Sequence, residues 1–241
     1  MIKLKFWEQD VIQFYTVPEL YGAIPEPKSA NKFLPDWFKR LPPIAHNMDR
    51  DHFGEKPPTA KKCMPLLDSM SLGYIIPLAG DTHIKTNEDC SVIEAHNPPG
   101  VKTCEFHDVR QVGEQTAPGF PANPLKWVNH WIIETAPGWS TLFIPPTNHF
   151  NPHFTCMSGL VDTDKYPKEV NFPAIWHTKS FGGTIYAGTP LVQVIPIRRD
   201  TLPKKAIARQ ATQKEIQRII KMQKIQATRN HYYTNELREK K

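Results

Sequence analysis

Asp162 and Asp164 stand two apart in the stretch SGLVDTDKYPKEVNF, residues 158–172. In an extended chain, residues two apart face the same side. Two carboxylates on one side can work as a base and a second acid, the charge of one raising the pKa of the other. They can equally hold a hard cation through their oxygens. Acidic residues ahead of a proline-containing turn are also ordinary turn formers, because their side chains bond nearby backbone. Residue type and spacing leave catalysis, cation binding and turn formation open.

Ten histidines are a second chemical resource. Glu105 and His107 are two apart, and His177 lies on a later strand-like run. A cupin-like Fe(II) oxygenase needs a pair of this kind and a distant histidine around a metal with open positions. Glu105, His107 and His177 are the candidate set for that chemistry. His107 and Asp108 are adjacent and so fall on opposite faces of a strand. His149 and His153, in NHFNPHF, are four apart, but Pro152 argues against the helix that would align them. Cys104, three before His107, faces the other side of a strand, which discounts a thiol–imidazole dyad. The cysteines at 63, 90, 104 and 156 make neither a CxxC pair nor a zinc-finger spacing. No Gly-rich phosphate loop and no Gly-x-Ser-x-Gly elbow occurs. The residues assign no metal ligands, and the cofactor stays open.

The elements that must position these residues are short. Among 241 residues there are 24 prolines and 12 glycines, and proline is dense from Pro18 to Pro203. Proline fixes φ and removes a donor, so long helices are excluded there. Apolar and alternating runs read as strands: SLGYIIPLAGD, THIKT, SVIEA, WVNHWIIET (127–135), WSTLFIPP (139–146), GLVD, EVNFPAIWH and TIYAGTPLVQVIPIRR. Trp127, Trp131, Trp139 and Trp176 sit within them, as core residues. IKLKF near the start predicts an edge strand, and LPDWFKRL one or two helical turns with Trp37, Phe38 and Leu41 inward. His46 to Lys62 reads as loop. After Pro203 the period changes: Ile216, Ile219, Ile220 and Gln223 keep helical spacing, and Thr212 with Glu215 fits a capping box. One amphipathic helix is expected from Gln213 to Arg229.

Charge divides the chain at the same place. Arg198 to Lys241 holds 13 basic and four acidic residues, a net +9, which leaves the remainder at −3. The basic pI therefore belongs to the tail, and nucleic acid is an expected partner only through the basic C-terminal helix. The start MIKLKFWEQD has no apolar signal region, and no run approaches the roughly 18 apolar residues of a membrane span. A soluble protein with free thiols and no membrane partner is expected. The organisation read from these patterns is an N-terminal strand and Pro-rich arm (1–62), a mainly β body (63–203) and a basic helix with its tail (204–241). Strand spacing favours a β-sandwich or barrel over βαβ units.

The order GYIIPLAGDTHIK, APGWSTLFIPPTN, SGLVDTDKYPKEVNF, TIYAGTPLVQVIPI resembles the trimeric dUTPases and dCTP deaminases, β-clip barrels. Gly159, Leu160, Val161, Asp162 and Asp164 match their third motif, and Gly188, Leu191 and Gln193 their closing strand. The resemblance implies Asp162 as the base that orients an attacking water, with Asp164 beside it. It implies Tyr74, Thr147, Asn148, Tyr166 and Gln193 as ligand contacts, and a homotrimer. The chain departs from the pattern at Pro146-Thr147-Asn148, where Pro-Arg-Ser should grip phosphates, and at Ile75, where an Asp should follow Tyr74. Lys165 stands where the family has its stacking aromatic, with Tyr166 one later, and a helix replaces the Gly-rich C-terminal motif. Over nearly the full length, LPDWFKRLP, GYIIPL, APGWSTLF, GLVDTDKYPKEVNFP and GTPLVQVIPIRRD resemble an uncharacterised family of tailed-phage proteins, especially of marine T4-like phages, with some bacterial relatives. That resemblance implies a virion or host-cytoplasm location and brings no activity with it.

Three functions follow as expectations. The first is a phage-encoded small-molecule or nucleotide-binding protein on a dUTPase-like scaffold, hydrolytic if Asp162 acts as base. The second is a non-enzymatic virion or assembly protein that grips neighbours through the arm and the helix. The third is the cupin-like oxygenase. Whether the chain is an enzyme is left open.

Overall fold

Dense proline and alternating apolar residues produce short strands. In the computed structural model, which describes residues 11–50, 54–90, 92–111, 125–229 and 232–239, fourteen strands form four antiparallel sheets among the described residues. The largest sheet runs in the order β11 (Gly159–Val161), β9 (Trp139–Ile144), β14 (Pro190–Arg198), β3 (Tyr74–Pro77) and β2 (Lys28–Ser29). A second sheet runs β10 (Phe154–Cys156), β12 (Phe172–Trp176), β7 (Leu125–Trp127) and β6 (Cys104–Phe106). A third runs β13 (Gly182–Ile185), β4 (Thr82–Thr86) and β5 (Ile93–His96), and β1 (Ile12–Tyr15) pairs with β8 (Ile132–Thr135). The chain is mainly β, as expected, but among the described residues no sheet closes on itself, so the barrel option is not realised as a closed barrel there.

All four sheets share one core. Ile76, Ile84, Trp127, Ile133, Phe143, Phe154, Phe172, Trp176, Leu191 and Val194 belong to a single buried cluster. The cysteines at 90, 104 and 156 are buried in it as small apolar residues, and Cys63 is exposed; all four are free. The strand β14 crosses the centre of the largest sheet, between β9 and β3. Its Leu191, Val192, Gln193 and Val194 are all buried. Gln193 satisfies its whole hydrogen-bonding capacity there: its amide NH2 donates to the carbonyls of Ser69 (2.8 Å) and Leu72 (2.6 Å), and its Oε1 accepts from the backbone N–H (3.0 Å) and hydroxyl (2.6 Å) of Thr147. It ties the sheet to helix α2 (Met64–Ser71) and to the loop after β9. Next to it, Gly73 has φ +68°, and a Cβ there would stand 2.1 Å from the Val194 carbonyl oxygen. Only glycine permits that approach.

The run 127–135 is not one strand. Its first residue ends β7, and β8 begins five residues later in another sheet. Buried Asn129 makes the transfer. Its side chain accepts from Trp131 N–H (2.9 Å) and donates to Trp131 C=O (2.7 Å), while its own N–H donates to the Asn171 side chain (3.0 Å). A side chain that bonds backbone two residues on replaces the ladder with a turn.

The first sixty residues contribute to the same sheets, since β1 pairs with β8 and β2 with β3. Helix α1 (Asp36–Arg40) follows Pro35 and buries Phe38; Lys61 lies over the Phe38 ring and donates to the Phe38 carbonyl (2.8 Å) near the end of α1. Trp37 is half-buried and faces the loop after β9. IKLKF lies outside the described residues. Helix α3 (Gln213–Thr228) has the capping box expected of Thr212 and Glu215, and none of its residues is buried. Further on, Arg238 pairs with Asp68 of α2 (3.0 and 2.7 Å). Among the described residues no helix is long and apolar enough to cross a membrane.

Candidate functional site

The sequence PPTNHFNPHF, 145–154, cannot continue β9, because two prolines break it. The loop that results is held in place from several sides. The Trp37 indole N–H donates to the Asn148 carbonyl (2.7 Å), and Asn151 Oδ1 accepts from the N–H groups of His153 (2.8 Å) and Phe154 (3.3 Å). Two of its residues take left-handed backbone, Asn148 at φ +60° and Phe150 at φ +50°. Asn tolerates this conformation; an aromatic residue there stores strain that the surroundings must impose. Phe150 is nonetheless 74% exposed. Its ring leans on Trp37, centroids 5.8 Å apart, and otherwise faces outward.

That loop forms one wall of a cavity of about 860 Å³. The other walls come from β10, His177, β13 and the turn into β14, with Tyr186, 67% exposed, at the rim. Asn148, His149, Asn151, His153, Thr155, His177, Thr184 and Thr189 bring polar atoms to it. Among the described residues no Asp, Glu, Lys or Arg lines it. His149 is held below the ordinary histidine range by burial and then by the charge of Lys39, which keeps it neutral near pH 7. Burial pushes the Cys156 thiol, also in the wall, well above the usual range, so it is no nucleophile.

His153 is oriented most firmly. Its ring stacks on Trp176 (5.8 Å, 15°) and against Phe181 (4.7 Å). Nδ1 lies 3.0 Å from the Thr178 hydroxyl, which itself donates to the Pro152 carbonyl (3.1 Å). A hydroxyl has one proton, so both bonds hold together only if His153 Nδ1 carries a hydrogen and donates it. In the neutral ring, Nε2 is then an acceptor. His177 Nε2 lies 2.7 Å from the Thr155 hydroxyl on the neighbouring strand. The arrangement can accept a proton-bearing group at a fixed nitrogen and cover an apolar ring face with Phe150 and Tyr186.

The two aspartates are elsewhere, and neither lines this cavity. They share one side and converge on Arg199, just past β14. Arg199 donates to Asp164 through both terminal nitrogens (3.0 and 2.5 Å) and to Asp162 (3.3 Å). Asp164, whose side chain is 4% exposed, also accepts from Gly138 N–H (2.8 Å), and Asp162, 54% exposed, accepts from the Ser140 hydroxyl (2.6 Å). Between them Thr163 points inward to the hydroxyls of Thr135 (2.7 Å) and Thr141 (2.8 Å). The Arg199 guanidinium holds the Asp164 carboxyl at about 2. These bonds pin the turn after β11 to the turn before β9, as a latch.

The remaining sequence-derived residues scatter. Of the five contacts implied by the dUTPase resemblance, Asn148 lines the large cavity, while Thr147 and Gln193 satisfy each other in the frame. Tyr74 packs edge-on against Phe14 (5.4 Å) and lines a separate, largely apolar pocket of about 250 Å³. Tyr166 is an exposed turn residue, its N–H donating to the Asp162 carbonyl (3.0 Å). The cupin-like set does not assemble. Glu105 pairs with Lys102 (2.5 Å) and Lys126, which hold its carboxyl at about 2, and His107 bonds Gln111 (3.1 Å). His177 follows β12, two strands across the sheet from β6. Among the described residues no three His, Cys, Asp or Glu side chains could hold a metal ion together. Sequence reasoning missed Phe150, Asn151, Thr155, Thr178 and Tyr186. The one available signal was the density of Asn, His and Pro in NHFNPHF. No model of a known protein family matches the chain, and no curated protein matches it.

Proposed function

We propose that this protein binds a small, uncharged, ring-bearing molecule in the cavity between the 145–153 loop and β10, β13 and β14. The observation that carries the proposal is Phe150: a strained left-handed backbone that holds an aromatic side chain 74% exposed at a polar rim. Strain of this kind costs on the order of 1–3 kcal/mol and is kept where it serves a site. Ring faces stack on aromatic side chains, and a donor on the ligand meets His153 Nε2. A nucleoside, nucleobase or sugar has this chemistry. A triphosphate does not, because phosphate recognition needs charged or multiple backbone donors, and the wall holds neither Lys nor Arg. Among the functions expected from sequence, this supports small-molecule binding over nucleotide hydrolysis through Asp162.

The test is thermal denaturation against a panel of nucleosides, matching triphosphates and simple sugars. A ligand that binds only the folded state raises the melting temperature, by an amount that grows with the logarithm of its concentration once that exceeds Kd. At least one nucleoside or sugar is expected to do so, with the matching triphosphate no better. A flat response across the panel, or stabilisation by triphosphates alone, overturns the reading.

A second reading rests on α3, which has no buried residue while Ile216, Ile219 and Ile220 are exposed. In it the helix is an assembly element between copies of the chain or with virion proteins. Deleting 204–241 is then expected to lower the oligomeric state in analytical ultracentrifugation.

A further inference from the structure

His83 on β4 and His96 on β5 are directly opposed in the antiparallel register. The strand β4 alternates strictly, with Thr82, Ile84 and Thr86 buried and His83 and Lys85 outward. His96 is exposed on the partner strand. The two rings lie side by side on the outer face, centroids 6.3 Å apart and planes inclined by 50°. Neither imidazole takes part in a hydrogen bond or ion pair among the described residues, so their nitrogens are free to ligate. The neighbours on this face are Thr184, opposite His83 on β13, and Lys85 opposite Glu94 one pair along.

We propose that His83 and His96 form a bidentate surface site for a divalent transition-metal ion that favours imidazole: Zn²⁺, Ni²⁺ or Cu²⁺. Neutral imidazole is a good ligand for these ions and a poor one for Mg²⁺ or Ca²⁺. A metal about 2.0–2.1 Å from each nitrogen brings the two nitrogens to roughly 3 Å from one another. Directly opposed side chains in an antiparallel pair have Cβ atoms about 4.5–5.5 Å apart, so rotation of the two rings closes that distance with the backbone unchanged. The remaining coordination positions are open to water or to a donor from another molecule. The site is independent of the cavity and of the ligand proposed for it.

Calorimetric titration with zinc chloride tests it, on the full chain and on His83→Gln, His96→Gln and the double variant. Two ligands acting on one ion predict that either single substitution weakens the same binding event by at least about tenfold, and that the double variant is little worse than either. Both positions are exposed, and equal melting temperatures without metal verify that the variants fold. Cu²⁺ added to isotope-labelled wild-type protein is expected to broaden the amide signals of 83–85 and 94–96 first, a readout that needs no substitution. Retention of wild-type zinc affinity in either single variant, or copper broadening centred on other histidines, overturns the proposal.

Discussion

The aspartate latch and the neutral cavity are opposites. At the latch, formal charges meet in one place and are satisfied: Asp164 takes three hydrogen bonds, from two guanidinium nitrogens and a backbone N–H. At the cavity no described lining residue is Asp, Glu, Lys or Arg, yet Phe150 is strained and exposed, and His153 Nε2 has no hydrogen-bond partner among the described residues. Charged residues at close spacing draw the eye in a sequence, but Asp164 is buried and held by three bonds, whereas Asp162 is 54% exposed and bonded through one oxygen. Polar and aromatic groups left strained or unpaired by a well-satisfied frame are the ground on which we propose the cavity as the binding site. The comparison predicts that substitutions in the frame and latch cost stability, whereas substitutions at the cavity cost binding.

The largest effect is expected in the frame. Gln193→Leu leaves two carbonyls and one N–H of Ser69, Leu72 and Thr147 without their partner in a partly buried setting. At about 1–3 kcal/mol for each fully buried unsatisfied group, reduced here because the carbonyls and the N–H are only partly buried, the loss is about 2–4 kcal/mol in urea denaturation. A loss below about 1 kcal/mol would show that the clamp is dispensable. Asp164→Asn comes next, at about 1–3 kcal/mol, since it removes a charge-assisted pair and turns one acceptor oxygen into a donor facing Arg199.

The same latch makes stability depend on acid. The Asp164 carboxyl is lowered from 3.8 to about 2 in the folded protein, chiefly by Arg199, and Glu105 from 4.5 to about 2 by Lys102 and then Lys126. Depressed carboxylates contribute stability that is present above their unfolded values, near 4, and lost as pH falls through the folded values. Denaturation midpoints are therefore expected to drop between about pH 4 and pH 2, and Asp164→Asn to show a shallower drop over that window. Equal slopes in the two proteins would remove Asp164 from the account.

The smallest stability effect, with the sign reversed, is expected at the cavity rim. Phe150→Gly relieves the left-handed backbone, so stability stays level or rises by up to about 1 kcal/mol. A loss above about 1 kcal/mol would mean that Phe150 is held for packing against Trp37.

Much of the frame is legible in residue order. Alternation in THIKT gives β4 with its two faces, Thr212 and Glu215 give the start of α3, and spacing of two puts Asp162 and Asp164 on one side. What is not legible depends on partners far away in the chain. Asn129 looks like an ordinary strand residue until Asn171 and Trp131 are seen to redirect it. The role of Gln193 requires Ser69, Leu72 and Thr147, up to 124 residues distant. The cavity is hidden for a related reason. His153 and His177 sit opposite each other only because β10 pairs with β12, and Phe150 owes its backbone conformation to a loop braced by Trp37. Asp162 stands out in the sequence because charge and spacing can be read from residue order, whereas a strained φ angle cannot.

We propose the cavity, and not the aspartate pair, as the ligand site. The most direct test is one titration of the best nucleoside or sugar from the panel into wild type, Phe150→Gly and Asp162→Asn. Loss of an aromatic stacking face is worth about 1–3 kcal/mol, so binding about 5- to 150-fold weaker is expected in Phe150→Gly, with wild-type affinity in Asp162→Asn. Wild-type affinity in Phe150→Gly together with lost binding in Asp162→Asn would contradict it and return the site to the aspartates.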